Sequence, residues 1–399
     1  QTIKVHNLSG HSMSHRNTLT SQVGTLTPIL VEEVCPNTKC HLKTSFSVKM
    51  PPLASETFAN IDYCIEAFFV PHRLLVNGFT DIVAGRNKLI SDSSKKTSMP
   101  VVHLSASNEQ SVIDMNSFFS AGTLSDYLGN RGALNFKLND QHYFSPLPYL
   151  AYHKIYDYWY RNKLIQKECF YDSSEINLFS KYVRFNASNY LLNIGVDSTI
   201  LISNDGVNLL SLRQRNFDSD YFTTATASQQ LGEPNNVSID VANNKGTLSI
   251  ASLRAANSLQ QFAERNNLCG VDDVNFYKAM YGADLSYGVA QHPVLIGSSR
   301  TPIYVNGVFQ TGNAGTASQT NNPFLNVGTQ YGSANGAGVE VIINNFTAQE
   351  FGYIFVIGSL VPKVSYSSGI RRYLSHHISE PYLGPDLANP ILQNVGPQP

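Results

Sequence analysis

The chain has 399 residues, with 28 Lys+Arg against 29 Asp+Glu and a formal net charge of −1. Charged residues make up only 14% of it, against about 25% in an average soluble domain, while 42% are hydrophobic and 11% aromatic. That balance excludes a chain disordered throughout and a bulk-basic nucleic-acid binder, so any nucleic-acid contact must come from a local patch.

Residues 1–38 read as an irregular arm, because Pro28, Pro36 and Asn37 interrupt regular elements. A strand is predicted over 40–49, with Leu42, Thr44, Phe46 and Val48 on one face. The next, 61–70, is apolar on both faces except at Glu66, which predicts a strand covered on both sides and ended by Pro71. Residues 85–112 are polar and broken, with Lys95 and Lys96 on a Ser-rich loop. A helix is expected over 114–128, with Asp114 as N-cap and Gly129 just past its end. Pro146 and Pro148 introduce a helix over 149–163 that places Tyr152, Ile155, Tyr156, Trp159 and Tyr160 on one side.

The stretch 164–245 is mixed, with short strand patterns at 181–185, 190–196 and 199–203. A helix over 249–266 would turn Leu253, Ala256, Leu259, Phe262 and Ala263 inward, and a shorter one over 272–281 is closed by Gly282. Strand patterns return at 303–311, then a Gly- and Asn-rich loop at 313–336, then apolar strands at 339–344 and 351–361. The Pro-rich end after Tyr366 is irregular, and the natural chain is expected to continue beyond Pro399. Gln1 in place of Met suggests an amino terminus that was processed or not included. No repeat of 20–50 residues occurs, and no apolar run approaches the roughly 18 residues that span a bilayer. Strands flanking a helical middle, without βαβ alternation, predict an antiparallel β sandwich with large insertions. Its long loops are tolerable only if neighbouring subunits pack on them.

Chemical motifs are sparse. Phosphate-binding glycine loops, nucleophile elbows and paired-histidine zinc motifs are absent. Cys35, Cys40 and His41 lack the second ligand pair of a structural zinc site. His376 and His377 read as surface or interface residues. Glu32-Glu33 and Asp272-Asp273 are consecutive, so they diverge on any regular element, and the Asp pair suits a helix start. Five cysteines at irregular spacing predict free thiols, mostly buried, in a reducing compartment. No catalytic residue, metal or cofactor is assigned. Lys154, Arg161, Lys163 and Lys167 flank the aromatic helix as its solvated face. Arg371, Arg372, Arg213 and Arg215 are the candidate nucleic-acid contacts. Low charge with many aromatic residues suits surfaces covered by other subunits. A receptor- or carbohydrate-binding β protein is the alternative, and a glycoside hydrolase would need two facing carboxylates.

Several segments resemble one family in its own order. SHRNTLTSQVGTLTPILVEEVCPNTKCHLKTSFSVKMPPL is similar to an opening arm and first strand, and IDYCIEAFFVPHRLL to a later strand. LPYLAYHKIYDYWYRN, NFDSDYFTTATASQQLGEP, FYKAMYGADLSYGVAQHPVLIGSSRTPI and VIGSLVPKVSYSSGI extend the resemblance over most of 14–370. The family is that of the major capsid proteins of small single-stranded-DNA phages, the microviruses, especially the gokushovirus-like branch.

The resemblance implies an eight-stranded antiparallel jelly roll with long, partly helical insertions at about 72–180 and 205–300 of a single domain, 39–370. The arm, 1–38, and an irregular segment, 371–399, flank it. It implies a non-enzymatic virion protein that self-assembles into a T=1 icosahedral shell around circular single-stranded DNA, in the cytoplasm of the bacterial host. Its implied partners are copies of itself, the genome, a small basic DNA-binding protein and a host receptor, with no membrane. His15, Arg16, Pro28 and Pro36 are the candidate inter-subunit residues of the arm.

Overall fold

Alternating and doubly apolar stretches become strands in the computed structural model, which describes residues 10–51, 60–76, 101–105, 109–130, 136–163, 191–194, 210–216, 291–309 and 330–363 with a few single positions between. The strands are β1 (Thr27–Val34), β2 (Lys39–Lys49), β3 (Ile61–Pro71), β4 (Val101–Ser105), β5 (Gln141–Phe144), β6 (Leu191–Ile194), β7 (Val294–Phe309), β8 (Gln330–Thr347) and β9 (Gly352–Pro362). The helices are α1 (Glu109–Phe118), α2 (Leu124–Tyr127) and α3 (Leu147–Ile155), the last continued by a π turn at Tyr156–Tyr160.

Six strands form one sheet in the order β1-β9-β3-β7-β8-β2, antiparallel at every step. β4 lies between β5 and β6 in a small second sheet, antiparallel to the first and parallel to the second. The expected mainly β, antiparallel architecture is therefore present. The large sheet curls on itself. β7 pairs with β3 through 294–303 and with β8 through 304–309, and β8 then pairs with β2 through 335–347. The far half of β8 lies back across the near half of β7, so close that a Cβ on Gly297 would sit 1.8 Å from the Ile342 carbonyl oxygen.

β3 and β9 run in register from Ile61 opposite Pro362 to Pro71 opposite Gly352. Their alternate residues feed two cores. Phe68, Val70, Phe355 and Ile357 meet Leu150, Ala151, Tyr152 and Ile155 of α3 on one side. Ile65, Ala67, Phe69, Ile354 and Val356 meet Ile342 and Ile343 of β8 on the other. A strand covered on both faces favours apolar residues on both sides, which is the pattern at 61–70 apart from Asp62 and Glu66.

The departures from sequence expectation have local causes. The stretch expected to be irregular contains β1, and Pro28 is accommodated because β1 is an edge strand whose register shifts between Pro28 and Leu30. Within 85–112, β4 forms. The helix expected over 114–128 starts earlier, at Glu109, so Asp114 lies inside it and not at its cap. It breaks before Gly122 (φ +83), and Thr123 caps the new start at α2 by accepting the Asp126 N–H at 3.4 Å. Gly129, at φ +79, ends α2 as expected. The π turn shortens the helix over 149–163 and changes its period, so Trp159 is 40% exposed while Tyr156 and Tyr160 are buried. Residues 330–336, expected in a loop, begin β8. In the helix expected over 249–266, Arg254, Asn257, Ser258 and Gln261 are helical and exposed, the complement of the predicted inward set. The strands expected at 181–185 and 199–203, the helix at 272–281 and the segment 371–399 lie outside the described residues. Cys64 and Cys169 are buried free thiols, but Cys40 is half-buried and Cys35 exposed.

Candidate assembly site at the amino-terminal arm

Residues 10–22 lie on the surface, all exposed except the half-buried Leu19. His15 and Arg16 are among the exposed ones, and His15 Nδ1 lies 3.1 Å from the Met13 carbonyl. Asn17 Nδ2 donates to the Ile29 carbonyl at 3.4 Å, and closer fastening begins as the chain approaches β1. Tyr127 donates its hydroxyl to the Thr20 carbonyl, and the Ser21 and Thr27 hydroxyls are 2.7 Å apart. Gly24 N–H donates to the Leu360 carbonyl at 2.9 Å, and Gly24 takes φ +79, a conformation suited to glycine. Pro28 is buried at the start of β1, whereas Pro36 is exposed in the β1–β2 turn, where Asn37 has φ 65.

The segment 210–216 forms the other side of the anchor. Arg215 N–H donates to the Gly24 carbonyl at 2.7 Å, and Leu26 N–H to the Arg213 carbonyl at 2.9 Å. Tyr152 of α3 completes it. Its hydroxyl donates to the Leu26 carbonyl at 2.8 Å and accepts the Arg213 N–H at 2.9 Å. Burial holds the Tyr152 pKa well above the ordinary tyrosine value, so the phenol keeps its proton.

The two arginines singled out in the sequence thus come together, two residues apart, inside the chain. Arg213 is 4% exposed, donates from Nε to His153 Nδ1 at 3.0 Å and lies 4.9 Å over the Tyr156 ring. That bond places the His153 proton on Nε2. Arg215 pairs with Glu66 at 2.7 Å, reaches Ser359 Oγ at 3.3 Å and lies over the Tyr160 ring. Tyr160 donates its hydroxyl to the same Glu66 carboxylate. Burial works against the Arg215 charge, and the Glu66 carboxylate more than restores it, so its pKa is raised. Glu66 and Asp62 are the two acids in the otherwise apolar strand β3. An enclosed acid in such a place demands a cationic partner, and that was the available sequence signal for this cluster. Arg371, Arg372, His376 and His377 lie outside the described residues.

Other candidate groups do not converge. Cys40 is half-buried and the adjacent His41 exposed on alternating sides of β2. Glu32 and Glu33 diverge likewise, with Glu33 Oε1 3.3 Å from His72 Nε2. Asp62 pairs with Lys363 at 3.1 Å, Asp157 with Arg161 at 2.9 Å and Glu350 with Arg73 at 2.8 Å. Among the described residues no group of three or more His, Cys, Asp and Glu could hold a metal ion, and no helix is long and apolar enough to cross a membrane.

Curled sheet, internally paired charges and a surface arm define a class: a structural β protein whose polar clusters fasten the chain to itself. The chain belongs to the phage family described as Capsid protein (F protein), whose sequence profile matches residues 2–399. It is 24% identical over 321 residues to capsid protein VP1 of Chlamydia phage 1, covering 79% of this chain and 49% of that protein. The chain therefore spans about half the length of the curated relative it matches. The microvirus capsid resemblance noted in the sequence agrees with both matches.

Proposed function

We propose that this chain is the shell-forming subunit of a small phage particle, an icosahedral shell around a circular single-stranded DNA genome. The family match over 2–399 is the observation that carries this reading. The exposed arm with a firm root supports it, since such an arm has a fixed origin and a free surface to lay on a neighbouring copy. The particle is the place of function, assembled in the host cytoplasm.

The fold in this reading is an eight-stranded jelly roll. Its support is nested pairing: β1 with β9, β2 with β8 and β3 with β7. A long hairpin rolled up on itself pairs its strands in that way. Two further strands from between β3 and β7 would complete the second layer beside β8. The domain spans 39–370 with insertions at about 72–180 and 205–300, the arm lends β1 to its sheet, and 371–399 is an irregular tail. With net charge −1 the shell does not neutralise a genome in bulk, so a small basic DNA-binding protein is the partner required. Arg371 and Arg372 are the better nucleic-acid candidates in the sequence, because the guanidiniums of Arg213 and Arg215 are engaged within the chain.

Electron microscopy of the purified assembly, with its copy number counted, tests the reading. Closed particles with an integral multiple of sixty copies are expected. A persistent monomer in the presence of the other particle proteins would refute it.

A further inference from the structure

The outer face of β2 concentrates positive charge that composition hides. β2 alternates strictly between half-buried and exposed positions, and its exposed set includes Lys39, His41, Lys43 and Lys49 with Ser45 and Ser47 between. At about 3.3 Å per residue, Lys39 and Lys49 stand roughly 33 Å apart along one face. Register extends the face onto β8, where Asn335, Ala337, Val339, Val341 and Thr347 stand opposite β2 residues and are exposed. None of these carries a negative charge. The β8 carboxylate of Glu340 points to the other side, where it accepts the Thr301 hydroxyl at 2.6 Å.

One more residue belongs to the face. Asn335 stands opposite Lys49 on one side and Tyr304 of β7 on the other. Directly opposed residues share a face, and Tyr304 is 66% exposed. Three lysines and a histidine thus share an acid-free strip with an exposed aromatic ring at its end.

We propose that this β2–β8–β7 face binds single-stranded nucleic acid, with Lys39, Lys43 and Lys49 on phosphates and Tyr304 stacking on a base. The inference rests on the shell reading for its occupant, and it makes this face the genome-facing side of the subunit. Flexible lysines with one open aromatic ring suit a sequence-tolerant single strand. An acidic protein partner fits less well, because the strip lacks the buried Trp, Tyr or Arg anchors that dominate protein interfaces. Lysines on an edge strand also discourage edge-to-edge pairing. That role is indifferent to the sign of the charge, whereas phosphate binding is not.

The test is fluorescence anisotropy of the full chain with a labelled oligomer of about 20 thymidines, between about 50 and 200 mM salt. Each phosphate contact adds about 0.7 to the slope of log affinity against log salt. Changing Lys39, Lys43 and Lys49 together to Gln is expected to lower that slope by about 2. Tyr304→Ala should weaken binding about tenfold with the slope kept. The double change Ser45→Glu with Ser47→Glu, which keeps a charged edge, should also abolish binding, while Lys137→Gln should not alter it. Unchanged affinity in the Glu and Tyr304 variants overturns the proposal, as does polyglutamate binding with the same lysine dependence in place of the thymidine oligomer. Micrographs of the same variants separate the two readings. Closed shells with unaltered thymidine binding sink this inference alone; lysine-dependent binding by a chain that never closes a shell supports it and sinks the shell reading.

Discussion

His72 illustrates how a single side chain ties this fold to pH. It is 1% exposed, with the Phe79 ring centroid at 4.7 Å and the Tyr353 centroid at 4.5 Å. Its Nε2 faces Glu33 at 3.3 Å, and its Nδ1 has no hydrogen-bond partner among the described residues. Burial lowers its pKa below the ordinary 6.5, and the Glu33 carboxylate opposes that only in part because it is itself 62% exposed. The unfolded chain therefore takes up the proton first as pH falls. Stability is complete above about 6.5 and is lost as pH drops through the folded pKa. Burial also lowers the pKa of His142, whose ring lies among Phe119, Phe136 and Phe144, and its contribution has the same sign. Urea unfolding midpoints measured from about pH 7.5 to 5 should fall for the native chain and fall less steeply for His72→Phe. Parallel curves would show that His72 charges without cost. At this scale the sequence is a poor guide, because nothing in a lone histidine states whether it is enclosed. Arg213 has the same difficulty: its charge suggested a phosphate contact, and its place is against His153 and Tyr156.

At the scale of elements, legibility followed the clarity of the period. β2, β3 and β9 were readable because alternation or double-sided apolarity is imposed by how many faces a strand buries. β1 was concealed by Pro28, and the first turns of β8 by Gly and Asn residues that resemble a loop. At Gly336 in β8 a Cβ would come within 3.1 Å of Ile303 Cγ1, so that side chain would have to give by a few tenths of an ångström. The same layering makes a sharper prediction at Gly297. There the two halves of the curled sheet meet backbone to backbone, and a methyl group has nowhere to go but into the Ile342 carbonyl. The obstacle is main chain, so no rotamer change relieves it. Gly297→Ala should lower stability by about 3 kcal/mol, at the upper end of ordinary overpacking. Gly10→Ala, with nothing within 4 Å, should be neutral. Thermal unfolding of the two variants side by side checks this; equal midpoints would mean that the layers separate freely.

The whole molecule divides into a sheet with its own cores and an amino-terminal stretch that lies exposed on the surface. The sheet is closed off by two cores, one against α3 and one against its own curled edge. The arm is fastened from Thr20 to Thr27 through Tyr127, Tyr152, Arg213 and Leu360. In the exposed stretch before Thr20, Asn17 reaches the Ile29 carbonyl at 3.4 Å, and Met13 is 66% exposed. Ordering such a stretch costs roughly 1–2 kcal/mol per residue in backbone entropy, and in the proposed shell the arm recovers that cost from a neighbouring copy. Removing residues 1–19 should therefore leave the thermal midpoint of the isolated chain nearly unchanged, since both cores and the whole anchor remain. The same truncation should sharply reduce the yield of closed particles under conditions where the full chain assembles, as counted by sedimentation and microscopy. A truncated chain that unfolds much earlier would place the arm among the elements that hold the subunit together. One that closes shells as readily as the full chain would remove the arm from the contacts between copies and leave that work to the loops joining the strands.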